Sequence, residues 1–480
     1  MGTKVTKARL YLRGDLEKSL HQICRESPTV NKIYLKILLT IAVSQKWTVK
    51  MCDVERAFLQ SDPIQRDVFV KPPPELQLPK NKILKLNKTA YSLVDASQAF
   101  FLKQSKEMKA IGFNPVTMDP ALFVHKSPGE EMCDAAAAVH VDDSLFSGKE
   151  DVINKAEQDM KKRLKYGLVE QLLFRFLGSS YKRGEDGEII VDLQHYVDNL
   201  EAPNMKLVAN KAKQDVLDAK LQSKFRSLAS KLHVLATTVR PDFMYAAKYL
   251  STRYGKATKS DLTQISKLIK KAKEETTEMT IPNIGEPEDW VLAGVVDASH
   301  RTSGNLFAVG GHVIMLMNRN MMATSTLHWA SKKIERIVHS SAAAETLAMQ
   351  KMFSTIYFIQ RIITDMCGAR VKDLKCVALT DNQGLFSNIH YLKANSEDYR
   401  IQADVIVLCQ MIEEEKTVQE VRYVHSSLNI SDCLTKTTKS RVMLLQIVRT
   451  GLYDLPGGTR IRDSTMTSVR TWNKLMRIET

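Results

Sequence analysis

Asp134-Ala-Ala-Ala-Ala-Val-His-Val-Asp-Asp-Ser-Leu-Phe-Ser-Gly148 decides how this chain is read. Two short apolar runs flank a pair of acids, and a glycine closes the second. That pattern is a buried β-hairpin with Asp142 and Asp143 at its bend. Hairpin bends favour Asn-Gly or Asp-Gly, whereas two adjacent carboxylates repel each other. At the mouth of an apolar hairpin the pair persists only where a cation offsets the repulsion or water reaches both. A divalent metal meets the first condition; an exposed acidic turn, the commoner setting of an Asp-Asp pair, meets the second.

The chain has 480 residues, of which 44% are hydrophobic, enough for two to four domains with packed cores. Its formal net charge of +15 points to an anionic partner. Its seven cysteines never form a C-x-x-C pair, so neither a disulfide framework nor a zinc site is expected, and a reducing compartment fits best. No apolar run approaches the ~18 residues that span a bilayer, and the N-terminus lacks an apolar signal core. The expectation is a soluble, non-secreted protein without a membrane partner.

Working outward, residues 31–46 carry Ile33, Ile37, Leu38 and Ile41 at a helical period, with one face expected to pack on a sheet. A strand from Trp47 ends on Asp53. A helix follows over Ala96 to Gly112 with Ala99, Leu102 and Met108 inward, and then a strand through Asp119 to Val124 that faces the Asp-Asp hairpin. Asp186-Gly187 marks another hairpin turn. Residues 1–195 thus read as an α+β palm. Residues 196–285 are helical and basic, with Lys267 to Lys273 on an exposed face. Ile281 to Pro287, punctuated by proline and glycine, is the best boundary. Residues 286–440 form a second, α/β unit in the order strand, strand, strand, helix, strand, helix, strand, and 441–480 a C-terminal helix and basic tail.

Phosphoryl transfer is catalysed by two Mg²⁺ ions about 3.5–4 Å apart, held by carboxylates from several elements. The chain holds two sets of acids for such work: Asp53, Asp142 and Asp143, then Asp297, Glu345, Asp381 and Asp432.

At these residues the chain resembles the Pol polyprotein of copia-type retrotransposons, in its reverse transcriptase and ribonuclease H portion. His140-Val-Asp-Asp143 is similar to the Tyr-x-Asp-Asp box of reverse transcriptases. Lys7-Ala-Arg-Leu10, Asp53-Val-x-x-Ala-Phe-Leu59, Leu86-Asn-Lys-Thr-Ala-Tyr91 and Asp119-Pro-Ala-Leu-Phe123 are similar to other blocks of the family in the same order. Thr238-Val-Arg-Pro-Asp242 and Leu250-Ser-Thr-Arg253 match its connection. Val296-Asp-Ala-Ser299, Ala343-Ala-Glu-Thr-Leu347, Thr380-Asp-Asn-Gln383 and Ser431-Asp-Cys-Leu-Thr-Lys436 are similar to its ribonuclease H blocks.

The resemblance implies an α+β reverse transcriptase of fingers, palm and thumb followed by an α/β ribonuclease H-like domain. Asp53, Asp142 and Asp143 would hold the polymerase metals, and Asp297, Glu345, Asp381 and Asp432 the ribonuclease H metals, with Mg²⁺ as the cofactor and Mn²⁺ as its substitute. Lys7 or Arg9 would meet the triphosphate. Phe58 and Tyr91 would line the nucleotide site; Phe58 reads equally well as a core aromatic. His425 falls on no motif position and reads as strand-end surface. The implied partners are an RNA template, a DNA primer, the RNA–DNA hybrid and deoxynucleoside triphosphates, in a cytoplasmic particle with nuclear import open. The chain departs from the family at Ser92, where a glycine is usual, and at Gln98, where a positive charge is usual. It also starts inside the fingers. Two readings stay open: an active polymerase with ribonuclease H, or an impaired relic or co-opted nucleic-acid-binding protein that keeps the fold.

Overall fold

The computed structural model describes residues 11–17, 20–79, 81–275, 277–300, 307–391, 398–438 and 440–457, with the backbone of 459 and 460. By backbone contacts the chain divides into two compact units, residues 1–189 with 361–372, and residues 190–360 with 373–480.

The first unit is built on helix α1 (Lys32–Ser44) and strand β1 (Thr48–Val54). Asn31 caps the helix by accepting from the Ile33 N–H at 2.9 Å, and Lys46, in the left-handed region at φ 54°, ends it. The one-face expectation is too modest. Every residue from Leu35 to Ser44 is buried, so α1 is a core helix rather than an amphipathic cover.

Helix α2 (Ala96–Ala110) leads into strands β2 (Asn114–Val116), β3 (Asp119–His125), β4 (Ala135–His140) and β5 (Asp143–Gly148). Helix α3 (Glu150–Lys161), strand β6 (Tyr166–Glu170) and the hairpin of β7 (Leu173–Phe176) with β8 (Ser179–Arg183) follow. The main sheet runs β2-β3-β4-β5-β1-β6, antiparallel throughout. Ala135 to Val139 are fully buried and small, so layers above and below close tightly on β4. On α2 the inward face carries Phe100, Gln104 and Met108, whereas Leu102 is exposed, contrary to the pattern reading. Lys50 of β1 is buried and reaches Glu157 at 2.5 Å and Asn154 at 2.7 Å, which fixes α3 on the sheet.

In the second unit, helices α4 (Ala219–Thr238), α5 (Met244–Ser251) and α6 (Lys259–Glu274) precede a six-stranded sheet. Its strands are β9 (Val291–Ser299), β10 (Val309–Met317), β11 (Thr324–Lys333), β12 (Lys375–Thr380), β13 (Glu420–Tyr423) and β14 (Thr459–Arg460), in the order β11-β10-β9-β12-β13-β14. The β11-β10-β9 portion is antiparallel, while β9-β12 and β12-β13 are parallel. Helices α7 (Ser341–Cys367, of which the residues before Arg361 belong to this unit), α8 (Gln383–Tyr391), α9 (Tyr399–Glu413) and α10 (Ser440–Thr450) complete it. All nine residues of β9 are buried, as a strand flanked on both sides requires. Three antiparallel strands followed by parallel crossovers is the arrangement expected of a ribonuclease H-like domain.

A buried ion cluster ties the helical part to this unit. Arg240 is fully buried; it donates to Asp242 at 2.8 and 2.9 Å and to Glu275 at 2.5 Å, and stacks over Phe243 at 4.0 Å. Arg441 of α10 approaches Asp242 at 3.5 Å. No helix among the described residues is long and apolar enough to cross a membrane.

Candidate functional site

In the first unit, antiparallel pairing sets Asp53 of β1 directly opposite Asp143 of β5. His140 pairs with Asp143, so Val141 and Asp142 form the two-residue tip of the quoted hairpin. Val54 N–H donates to the Asp142 carbonyl at 3.1 Å and anchors that tip to the end of β1. Val141 sits at φ 57°. A β-branched residue in the left-handed region costs roughly 1–2 kcal/mol, and such strain is retained where the surroundings hold a special geometry. Burial, then Asp142 and Asp53, push the half-buried Asp143 carboxyl up to about 6. Gly167 of β6 leaves room here: a Cβ on it would stand 3.3 Å from the Asp53 carboxylate. Crowded carboxylates with open space beside them and a carboxyl that prefers its proton are what a hard cation relieves, so the donor set fits Mg²⁺.

Phe58 follows on the turn after β1, and its ring meets Tyr91 edge-on at 5.3 Å between centroids. Phe58 packs against a small core of Leu12, Val68, Leu93 and Ala96. The two aromatic residues are therefore brought together, in a place where either reading of Phe58 holds. Ser92, next to Tyr91, has φ 66°, a conformation in which glycine is free and serine is not. Gln98 donates to the Cys24 sulfur at 2.8 Å. Lys7 and Arg9 lie outside the described residues.

In the second unit, parallel pairing of β9 with β12 puts Asp297 and Asp381 at the same carboxyl end of adjacent strands, the usual ligand edge of a parallel sheet. Glu345, near the start of α7, completes a group in which each of the three carboxylates offers an oxygen within 4.8 Å of the others. Among the described residues it is the one such group of three acids. Asp297 and Glu345 are buried. Burial, then Asp297 and Asp381, push Glu345 up to about 9; one side of it is held by the Ala298 N–H, and its Oε2 is buried without a partner. Burial, together with Asp381 and Asp432, lifts Asp297 to about 7 against the opposing pull of Thr435 and Lys436. An orphaned carboxylate oxygen within a dense group of hard donors again fits Mg²⁺.

Asp432 stands apart. Its carboxylate is bound by Lys436 at 2.5 Å, one helical turn on. Burial pulls the Lys436 ammonium down, but Asp432, Asp297 and Asp381 together hold it above its ordinary value. A fixed cation thus faces the acids from the turn at Ile430–Leu434.

The same turn supplies residues that sequence reasoning missed. Buried Asn429 donates to Asp381 at 2.9 Å and to the Val296 carbonyl at 3.0 Å. The Thr435 hydroxyl donates to the Asp297 carboxylate, and Ser431 donates to the Val295 carbonyl at 2.6 Å. Gly311, the register partner of Asp297 on β10, admits the turn: a Cβ there would stand 2.7 Å from the Leu434 Cβ. Ser431 and Thr435 lie in the Ser431-Asp-Cys-Leu-Thr-Lys436 block, whose acid alone carried the sequence reading, and Asn429 lies two residues before it. His425 caps its own turn by accepting from the Ser427 N–H at 3.3 Å, as strand-end surface does.

A family profile described as reverse transcriptase (RNA-dependent DNA polymerase) matches residues 5–214, the part that carries Asp53 and the Asp142-Asp143 hairpin. The chain is 26% identical over 455 residues to the retrovirus-related Pol polyprotein from transposon RE1 of Arabidopsis thaliana, and 21% identical over 460 residues to that from transposon TNT 1-94 of Nicotiana tabacum. The chain is similar to the Pol proteins of copia-type retrotransposons. The matches cover 90% of this chain but only 29% and 33% of those two relatives. Among solved structures, the foamy viral protease-reverse transcriptase in complex with dsDNA matches 85% of this chain and 74% of its own, at 13% identity and a TM-score of 0.48.

Proposed function

We propose that this chain is an RNA-directed DNA polymerase with an attached ribonuclease H, copying element RNA into DNA and cleaving the RNA of the resulting hybrid. The observation that carries the reading is the presence of two independent carboxylate centres, one on the hairpin of a reverse transcriptase domain and one at the strand edge of a ribonuclease H-like sheet. In this reading residues 1–195 are fingers and palm, 196–285 thumb and connection, and 286–440 the ribonuclease H-like domain. Asp53, Asp142 and Asp143 would hold Mg²⁺ in the palm, and Asp297, Glu345 and Asp381 would hold it in the second centre, with Asp432 beside them and paired to Lys436. The bound metal supplies Lewis acidity to the attacking and leaving oxygens of phosphoryl transfer. Asn429 and Thr435 fix the positions of Asp381 and Asp297 by hydrogen bonds to their carboxylates. Phe58 and Tyr91 would bound the incoming deoxynucleotide, with Lys7 or Arg9 on its phosphates. The RNA template, DNA primer and hybrid are held largely by charge, consistent with the net +15.

Ser92 favours a second reading for the polymerase half alone, because it places a side chain at a left-handed backbone position next to the nucleotide aromatics. Primer extension on an RNA template with Mg²⁺ and labelled deoxynucleotides, run beside hybrid cleavage on one preparation, separates the two. Extension together with cleavage is the expected result. Cleavage without extension would leave an impaired polymerase joined to a working nuclease, and neither activity in a folded chain would overturn the proposal.

A further inference from the structure

The two faces of the palm sheet differ in chemistry at the acid hairpin. Side chains alternate along a strand, so Asp53 and Asp143, which pair across β1 and β5, share one face, and Cys52 and Ser144, the adjacent pair, share the other. That second face is covered by α2, whose inward stripe is Phe100, Gln104 and Met108. A glutamine breaks the stripe: Gln104 is 1% exposed and stands between two fully buried apolar residues, one turn to either side. Its amide Nε2 donates at 2.7 Å to the hydroxyl of Ser144, which is itself fully buried.

Stability does not account for this pair. The Gln104 Oε1 is buried without a partner, and so is the Tyr166 hydroxyl of β6 beside Ser144. An unpaired buried carbonyl costs more than one neutral hydrogen bond contributes, and a leucine of similar size would fill the stripe without that cost. The charged group on the same face does not call for the glutamine either, because Lys50 is satisfied by Asn154 and Glu157. The consequence of the bond is mechanical. The hairpin tip is strained at Val141, and the Val54 N–H holds the Asp142 carbonyl from the end of β1. Gln104 holds Ser144 from behind, so Asp143 lies between two anchored neighbours.

We propose that Gln104 is a positioning residue of the polymerase centre: acting through Ser144 from the helical side of the sheet, it sets the Asp143 carboxylate in place opposite Asp53. The catalytic consequence rests on the function proposed above; the anchoring of the hairpin does not.

The test uses the full chain with Gln104→Leu, Ser144→Ala and the double variant. Melting temperature reads stability, and hydrogen exchange compares the hairpin amides from His140 to Phe146 with those of β2 and β3. Primer extension on an RNA template reads kcat, deoxynucleotide KM and the half-saturating Mg²⁺ concentration, with hybrid cleavage as the control. The double variant, which has lost both polar groups, is expected to melt at or above the wild type. Hairpin exchange should nevertheless rise about tenfold in all three variants while β2 and β3 stay unchanged. Extension should fall about tenfold in kcat with KM held within a factor of about two, and half-saturating Mg²⁺ should rise, whereas cleavage is unaltered. A role in packing alone predicts that stability, exchange and extension recover together in the double variant, and that result overturns the proposal. Unchanged hairpin exchange in the variants overturns it as well, as does raised exchange with unchanged extension. If Gln104→Leu does not fold, Ser144→Ala breaks the same bond by removing one atom and decides. A wild type that cleaves hybrid but extends no primer refutes the polymerase reading and with it the catalytic role, and the exchange data then uphold or overturn the anchor by themselves.

Discussion

The two acid centres are built from the same residue types and differ in who completes them. In the palm, Asp53 and Asp143 face each other across two strands while Asp142 rides a strained hairpin tip, and all three are only half buried. In the second unit the fold has already driven Asp297, Glu345 and Asp381 together, buried two of them, and braced them with Asn429 and Thr435. The first centre is a half-buried strand edge. The second is assembled by its own chain, at the cost of crowding like charges in a place water hardly reaches.

The largest expected effect separates them outright. Asp381→Asn should lower hybrid cleavage by more than ~10³-fold and leave primer extension intact, and Asp142→Asn should do the reverse. Loss of both activities from either change, in a chain shown by circular dichroism to be folded, would break the comparison.

Bracing is tested next. Asn429→Ala frees Asp381 and should weaken cleavage or Mg²⁺ affinity by about 10–100-fold, seen as a higher half-saturating Mg²⁺ concentration. At the palm hairpin the Val54 N–H holds the Asp142 backbone.

Crowding predicts a pH dependence. Glu345 at about 9 and Asp297 at about 7 keep their protons in the metal-free folded state well above the ~4 of an unfolded carboxyl. The folded state binds more protons across that interval, so metal-free stability falls as pH rises from about 4 towards 9. Asp143, at about 6, contributes only over the lower part of the interval. Melting curves in chelator should therefore decline between pH 5 and 9, and Glu345→Gln should flatten the decline and stabilise the chain at pH 8 by more than ~1.4 kcal/mol, the value of one pKa unit. Mg²⁺ should restore stability at high pH. A metal-free melting temperature that is flat or rising over this range would mean that the acids are not crowded.

Ser92→Gly removes a serine from the left-handed region and should stabilise the chain by about 1 kcal/mol. If the serine also obstructs the nucleotide site, the same change raises extension without altering cleavage. The smallest effect is expected at Phe58. Phe58→Ala should change ribonucleotide against deoxynucleotide incorporation a few-fold; unchanged sugar choice with a loss of about 0.5–1.5 kcal/mol from the broken ring pair would return it to the core.

The acids at strand ends were legible because strands of alternating or continuous apolar residues announce their own limits: Asp53, Asp143, Asp297 and Asp381 all sit where a hydrophobic run stops. Residues whose place depends on distant packing were not. Leu102 has an inward-looking spacing, yet the sheet beneath α2 takes Phe100, Gln104 and Met108 instead. Lys36 sits in a helix buried all round from Leu35 to Ser44, which its sequence presents as one-faced. Asn429 and Thr435 act only because Gly311, more than a hundred residues earlier, leaves a gap for their turn, and no local period encodes that coincidence. The cation at Lys436 is legible only once Asp432 is seen to be its neighbour one turn away.

The parallel pairing of β9 with β12 also sets an order of events during folding. Its two strands belong to distant stretches of chain, and everything from β10 through α7 must be made before they can meet. Contacts of such long sequence separation form late, after local hairpins and helices. The β10–β11 hairpin and α7 can form while β12 is still unmade, whereas Asp297 and Asp381 become neighbours only when the second half of the sheet docks. A nascent or truncated chain that ends before β12 therefore carries Asp297 and Glu345 without the third acid of their group.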